Sequence, residues 1–122
     1  MNRSIRVLVA DDEKNLRDLV VRELSRRGLE VEGVGDGEAA LARLRETPYD
    51  VVVLDMKMPG LSGLDVARQI LERHPGQAVV MCSAYMDRDD VAEAIRIGVA
   101  ACVDKYQITT LPDVVEAVVG AA

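Results

Sequence analysis

Four short apolar runs, each closed by polar residues, set the tightest limit on what this chain can fold into. IRVLVA leads into Asp11 and Asp12, VVVL into Asp55, and VVMC into Ser83. The run around Val103 passes Asp104 and reaches Lys105. Val-rich runs of this length, separated by helical patterns, read as parallel strands buried on both faces. In open α/β sheets the ligand site lies outside the carboxyl ends of the strands. Three carboxylates, one hydroxyl and one ammonium are therefore expected along one sheet edge.

Strand and helix patterns alternate five times across the 122 residues. Strands are expected at about 5–10, 30–34, 51–54, 78–82 and 100–103. The helix after the first strand carries Leu16, Leu19, Val20 and Leu24 and ends at Gly28, a suitable C-cap. The second strand alternates polar and apolar residues and reads as an edge, and Gly35-Asp36-Gly37 then turns into a helix bearing Ala40, Leu41 and Leu44. Ser62 with Asp65 forms a capping-box pattern for a third helix that buries Leu64, Ala67, Ile70 and Leu71. The fourth helix starts near Asp87, turns Val91, Ala94 and Ile95 inward, and closes at Gly98. Thr110 and Pro112 open the last one, with Val114, Val115 and Val118. Right-handed crossovers then give a flavodoxin-like (βα)5 three-layer sandwich over residues 1–122, one domain with strand order 2-1-3-4-5. Its switch point falls between the first and third strands, which deliver Asp11, Asp12 and Asp55.

Composition removes several function classes. A formal charge of −6 disfavours a nucleic-acid surface, which needs a basic stripe. No apolar run approaches the ~20 residues of a membrane span, and the start, Met-Asn-Arg-Ser, lacks a signal h-region and reads as frayed, which implies a cytoplasmic protein. Cys82 and Cys102 lie inside apolar runs without CxxC spacing, as small core hydrophobes do. The one histidine, His74, precedes Pro75-Gly76 at a helix end and reads as solvated.

The chemistry follows from the residue types. Three carboxylates at one edge raise each other's pKa unless something neutralises them. A hard divalent cation does so, and Mg²⁺ suits a site with few carboxylates, retained waters and a phosphate-type ligand. A carboxylate can act as the nucleophile, giving an aspartyl phosphate, while an ammonium and a hydroxyl share the negative oxygens. The chain has 12 Arg and three Lys, so a Lys directly after the last strand is not a filler charge. Its compact head also fits a metal-phosphate site where a guanidinium would crowd.

At this point VLVADDE, VVVLDMKMPGLSGLD, VVMCSAY and AIRIGVAACVDK together resemble the receiver domain of two-component response regulators, over essentially the whole chain. The resemblance implies that Asp55 accepts phosphate from a histidine of a sensor kinase or phosphotransfer protein. It implies that Asp12, Asp55 and the Lys57 backbone carbonyl ligate Mg²⁺, with Asp11 acting mostly through water. Lys105 and Ser83 would hold phosphoryl oxygens, and the Ser83 bond would reshape the face of the fourth helix, fifth strand and fifth helix. The output would be a protein target or an output domain, with no direct nucleic-acid or membrane binding, as a monomer or weak dimer through that face.

Two departures from the family pattern stand out. Cys102 occupies the place of an inward-rotating aromatic, and Tyr106 the place of a proline after the Lys. Tyr85 and Tyr106 could substitute as gating residues, though loop packing is the plainer expectation for both. A trans peptide or rearranged loop is expected at Lys105-Tyr106, with Lys105 still reaching the site. Lys57 and Tyr85 flank the acceptor and could shield an acyl phosphate from water. Two readings compete. A receiver-like module could signal without phosphate. A Mg²⁺-dependent aspartyl-phosphate hydrolase would need D-x-D spacing after the first strand, where this chain has adjacent Asp11-Asp12. A flavodoxin-type cofactor binder would need a Ser/Thr/Gly-rich loop in place of ADDEKN.

Overall fold

The computed structural model describes residues 4–120, so the readings of Met1–Arg3 and of Ala121-Ala122 lie outside the described residues. The strands are β1 (Arg6–Ala10), β2 (Glu30–Val34), β3 (Val51–Leu54), β4 (Ala78–Ser83) and β5 (Ala101–Asp104). The helices are α1 (Lys14–Ser25), α2 (Gly37–Glu46), α3 (Gly63–Arg73), α4 (Arg88–Ile97) and α5 (Leu111–Gly120). Every strand pairing is parallel, in the order β2-β1-β3-β4-β5. The doubly wound order read from the alternation is the one that forms.

Successive side chains on a strand point to opposite faces, and the Val-rich runs use both. Leu8, Ala10, Val52, Leu54, Val79 and Met81 join a core with Ala40, Val66, Ala67 and Ile70, under α2 and α3. Val7, Val9, Val51, Val53, Val80 and Cys82 join a second core with Val20, Leu24, Leu111 and Val115, under α1 and α5. Each fully buried Val or Leu contributes about 1.5–3 kcal/mol relative to an exposed one, so the sheet is anchored from both sides. Among the described residues β2 pairs with β1 alone, and its positions are all exposed or half-buried, as an edge strand's are.

The helix starts agree with their capping residues. Asp36 caps α2, and Ser62 with Asp65 and Asp87 with Asp90 form complete capping boxes for α3 and α4. Gly98 ends α4 at φ 107, a left-handed conformation that costs a glycine nothing.

Several boundaries and packing choices differ from the sequence reading. β4 continues through Ser83, and β5 runs one residue later than expected. Ile95 does not turn inward; it is 54% exposed, while Ala94 is fully buried and Ile97 packs against the core. On a helix Ala94 and Ile97 share a face, and Ile95 falls about 100° away from Ala94. A 3-10 segment, Lys105–Thr110, precedes α5, which therefore opens at Leu111 rather than at Thr110. The Asp104 side chain accepts the Tyr106 N–H at 2.8 Å, and Thr110 Oγ1 donates to the Gln107 carbonyl at 2.7 Å, which holds the turn short of an α-helix.

Candidate functional site

The backbone ladder runs one residue past two strand ends. Asp11 N–H donates to the Val34 carbonyl at 3.1 Å, and Asp55 N–H to the Ala10 carbonyl at 3.0 Å. These bonds fix where both carboxylates leave the sheet. Among the described residues Asp11, Asp55 and Ser83 are the buried polar ones, at 2%, 8% and 3% exposure. Buried charge has to be paired. Lys105 does this: its Nζ lies 2.6 Å from Asp11 Oδ2 and 3.5 Å from Asp55 Oδ2. Ser83 Oγ donates to Asp55 Oδ1 at 3.0 Å and lies 3.4 Å from the Tyr85 carbonyl, so the hydroxyl links the acceptor carboxylate to the loop after β4.

Asp11 is tied more firmly than Asp55. Its Oδ1 accepts the Glu13 N–H at 3.0 Å, and its backbone carbonyl accepts from the Arg17 guanidinium at 2.8 Å. Asp12 is exposed at the mouth of the site. Carboxylate oxygens of Asp11, Asp12 and Asp55 all lie within 4.8 Å of one another. Among the described residues Lys105 is the cation paired with these carboxylates, so the ionised cluster keeps a deficit of positive charge.

The ionisation behaviour reflects this. Burial raises the Asp55 carboxyl above the usual range and the Asp11 charge adds to that. Lys105, the Ser83 hydroxyl and the Lys57 backbone N–H pull the other way without cancelling the rise. For Lys105, burial alone would favour the neutral amine, but its hydrogen bond to Asp11 and the charges of Asp55 and Asp11 outweigh it and raise the pKa. The ammonium is therefore secure, while Asp55 gains from any added cation. Cys82, behind the site, is pushed up to about 12 by burial and stays an inert thiol.

The structure brings Asp11, Asp12, Asp55, Ser83 and Lys105 to one place, and Lys105 makes its shorter contact with Asp11 rather than with Asp55. The Lys105-Tyr106 peptide is trans. Lys57 is exposed and places its Nζ 5.7 Å from the centre of the Tyr85 ring, so the two side chains meet at the rim. Cys102 is half-buried against the core under α2 and α3. The expected loop packing of the two tyrosines does not occur, since Tyr85 is 71% and Tyr106 86% exposed. Within and just after the 3-10 segment, Ile108 and Leu111 are the residues that pack into the core under α1 and α5.

Two residues that shape the site carry no assigned role in the sequence reading. Gly63, the first residue of α3, donates its N–H to the Met56 carbonyl at 2.8 Å and lies directly against the Asp55 backbone. Asp104 caps the turn that carries Lys105. A glycine following a capping serine and an acid preceding Lys105 were the available signals, but neither type distinguishes a close approach from an ordinary turn.

The model of the response regulator receiver domain matches residues 7–116. This chain belongs to that family. Its receiver sequence is 44% identical over 94 residues to the transcriptional regulatory protein CutR of Streptomyces coelicolor, covering 77% of this chain and 43% of CutR. It is 37% identical over 93 residues to the DNA-binding response regulator MtrA of Mycolicibacterium smegmatis, covering 76% of this chain and 40% of MtrA. The chain thus spans about two fifths of the length of these relatives. The response regulator TrrA of Thermotoga maritima, solved in complex with Mg(2+)-BeF, is 34% identical at a TM-score of 0.85, covering 93% of this chain and 98% of TrrA. As a receiver domain of two-component response regulators, the chain is a signalling module rather than a metabolic enzyme. Among the described residues no helix is long and apolar enough to cross a membrane.

Proposed function

We propose that residues 1–122 form a single receiver domain in which Asp55 takes a phosphoryl group from a histidine of a sensor kinase or phosphotransfer protein. The carrying observation is the setting of Asp55: one carboxylate oxygen 3.0 Å from the Ser83 hydroxyl, the other 3.5 Å from the Lys105 ammonium. In the transfer an Asp55 oxygen forms the new bond to phosphorus, the bond from phosphorus to the histidine nitrogen breaks, and the imidazole leaves. Lys105 and Ser83 sit where the added oxygens need a cation and a donor, and Asp11 keeps Lys105 in place from the far side.

The donor set fits Mg²⁺, because three carboxylates within 4.8 Å are hard oxygen ligands in excess of positive charge and Asp12 is open to water. Asp12, Asp55 and the Lys57 carbonyl would hold the ion directly, and Asp11, already engaged by Lys105 and the Glu13 N–H, would act through water. Bound there, the ion neutralises charge on the phosphoryl oxygens.

Phosphorylation adds nearly two negative charges beside Ser83, whose hydroxyl already touches the loop leading to α4. Drawing that hydroxyl onto the phosphoryl group moves the loop and changes the face of α4, β5 and α5, where Ile95 and Tyr106 are exposed. That face signals to a protein target or an attached output domain, as a monomer or weak dimer in the cytoplasm.

Incubation with acetyl phosphate and Mg²⁺, followed by intact-mass measurement, tests the reading. One added phosphate, absent in Asp55→Asn and in the presence of a chelator, is expected. Failure of the wild type to gain it leaves a phosphate-independent module instead, and release of many phosphates per chain from a small ester marks a hydrolase.

A further inference from the structure

At the opposite end of the sheet from Asp55, α2 and α3 leave an apolar slot between their C-terminal turns. Its floor is Leu41, Leu44 and Ile70, and its rim is Arg45, Arg73 and His74. Leu44, Arg45, Arg73 and His74 also border the adjoining hollow that runs toward Pro48 and Pro75. The floor extends the core under α2 and α3, so it is rigid: Ile70 is buried, and Leu41 and Leu44 pack against it while keeping a surface to the outside.

Arg43, Arg45 and Arg73 all lie in the last turns of α2 and α3, where a cation meets the helix dipole, and Arg43 also pairs with Glu32 at 2.6 Å and Glu46 at 3.2 Å. Arg45 and Arg73 differ. Among the described residues neither side chain has an ion pair or hydrogen bond, and Glu46, the acid bordering the hollow, is already committed to Arg43. A chain with 21 acidic and 15 basic residues thus keeps two unpaired guanidiniums and an imidazole around one apolar floor. We infer that this slot docks an acidic peptide segment of a partner protein, an aliphatic side chain entering between Leu41, Leu44 and Ile70 while flanking carboxylates meet Arg45 and Arg73. Guanidiniums suit that role because they bind carboxylates through two parallel N–H bonds. The slot lies away from the acceptor site, so docking there and phosphorylation can proceed together.

The probe is a fluorescein-labelled peptide, Glu-Glu-Leu-Ile-Glu-Glu-Leu-Leu-Glu-Glu, titrated with the full chain by fluorescence anisotropy. Binding is expected to weaken by about five-fold or more in Arg45→Ala/Arg73→Ala, since two surface ion pairs are lost. It should also weaken as salt rises and when Gln replaces Glu or Ser replaces Leu and Ile in the peptide. Backbone amide shifts of labelled protein should concentrate at residues 41–45 and 69–74. Equal binding by the Arg45→Ala/Arg73→Ala variant, equal binding of the Gln peptide, or shifts centred elsewhere overturns the inference. So does self-association of the chain that the same double variant abolishes, which assigns the slot to a second copy. Circular dichroism of the variant confirms that the exposed substitutions leave the fold intact.

Discussion

Gly63→Ala tests how the acceptor carboxylate is positioned. A Cβ at this residue would overlap the Asp55 carbonyl oxygen, and would sit 2.9 Å from the Asp55 carbonyl carbon and 2.7 Å from Met81 Cε. Ordinary contact begins near 3.4 Å, so α3 and the end of β3 must separate by about half an ångström at the carbon and further at the oxygen. Met81 Cε can swing aside, but the Asp55 backbone directly follows the central strand, is tied to Ala10 by its N–H, and cannot. Overpacking of this kind costs about 1–3 kcal/mol. For a domain of this size each kcal/mol lowers Tm by about 4 °C, so a fall of about 4–12 °C is expected by circular dichroism. Because the displaced group carries the phosphoryl acceptor, acetyl phosphate should also label the variant at least roughly ten-fold more slowly, given that a misplacement of about 1 Å can cost about a hundred-fold. Gly76→Ala is the control, since nothing lies within 4 Å of its Cβ and its φ is not positive; it should melt with wild type. Adding Met81→Leu to Gly63→Ala should restore little, because the hard contact is backbone. A Gly63→Ala protein that melts and labels like wild type refutes the positioning argument.

Asp55→Asn should melt above wild type at pH 7 without Mg²⁺. Burial raises the folded pKa of Asp55, so its contribution is intact below the ordinary carboxylate pKa and is lost as pH rises through the raised value; the gap should close near pH 4. Mg²⁺ should raise the wild-type Tm in proportion to the logarithm of its concentration, and Asp12→Asn should abolish most of that shift; an equal shift in the variant removes Asp12 from the metal site. Lys57→Ala and Tyr85→Ala should each shorten the lifetime of the acyl phosphate by opening the rim where they meet, and an unchanged decay of the mass adduct counts against shielding. Arg96, from the next turn of α4, and Arg68, reaching across from α3, hold the Glu93 carboxyl down to about 2 through hydrogen bonds. That contribution is complete above the ordinary value of 4.5 and lost as pH falls toward 2, so the Tm difference between wild type and Glu93→Gln should vanish over that window.

Much of this was written in local pattern. Val-rich runs, helical spacing and cap residues were enough to place strands and helices within a residue or two, because each signal is carried by neighbours in the chain. The strand ends also told which polar residues share an edge, since chain direction and strand order decide that without any side-chain detail. What local pattern could not carry was anything set by a distant surface. Ile95 faces out and Ile97 in because of how α4 lies on the sheet. Tyr85 and Tyr106 stay exposed, while Ile108 and Leu111 are the residues between β5 and α5 that pack into the core. Lys105 lies nearer to Asp11 than to Asp55, a choice made among side chains that meet only in the folded chain. Gly63 is constrained by the Asp55 backbone, which no spacing rule reveals. Burial pattern and strand direction, both legible along the chain, were enough for the fold and for the residues of the acid pocket. The pairings inside that pocket and the unpaired arginines at the far end of α2 and α3 come from packing, because they depend on which surfaces meet.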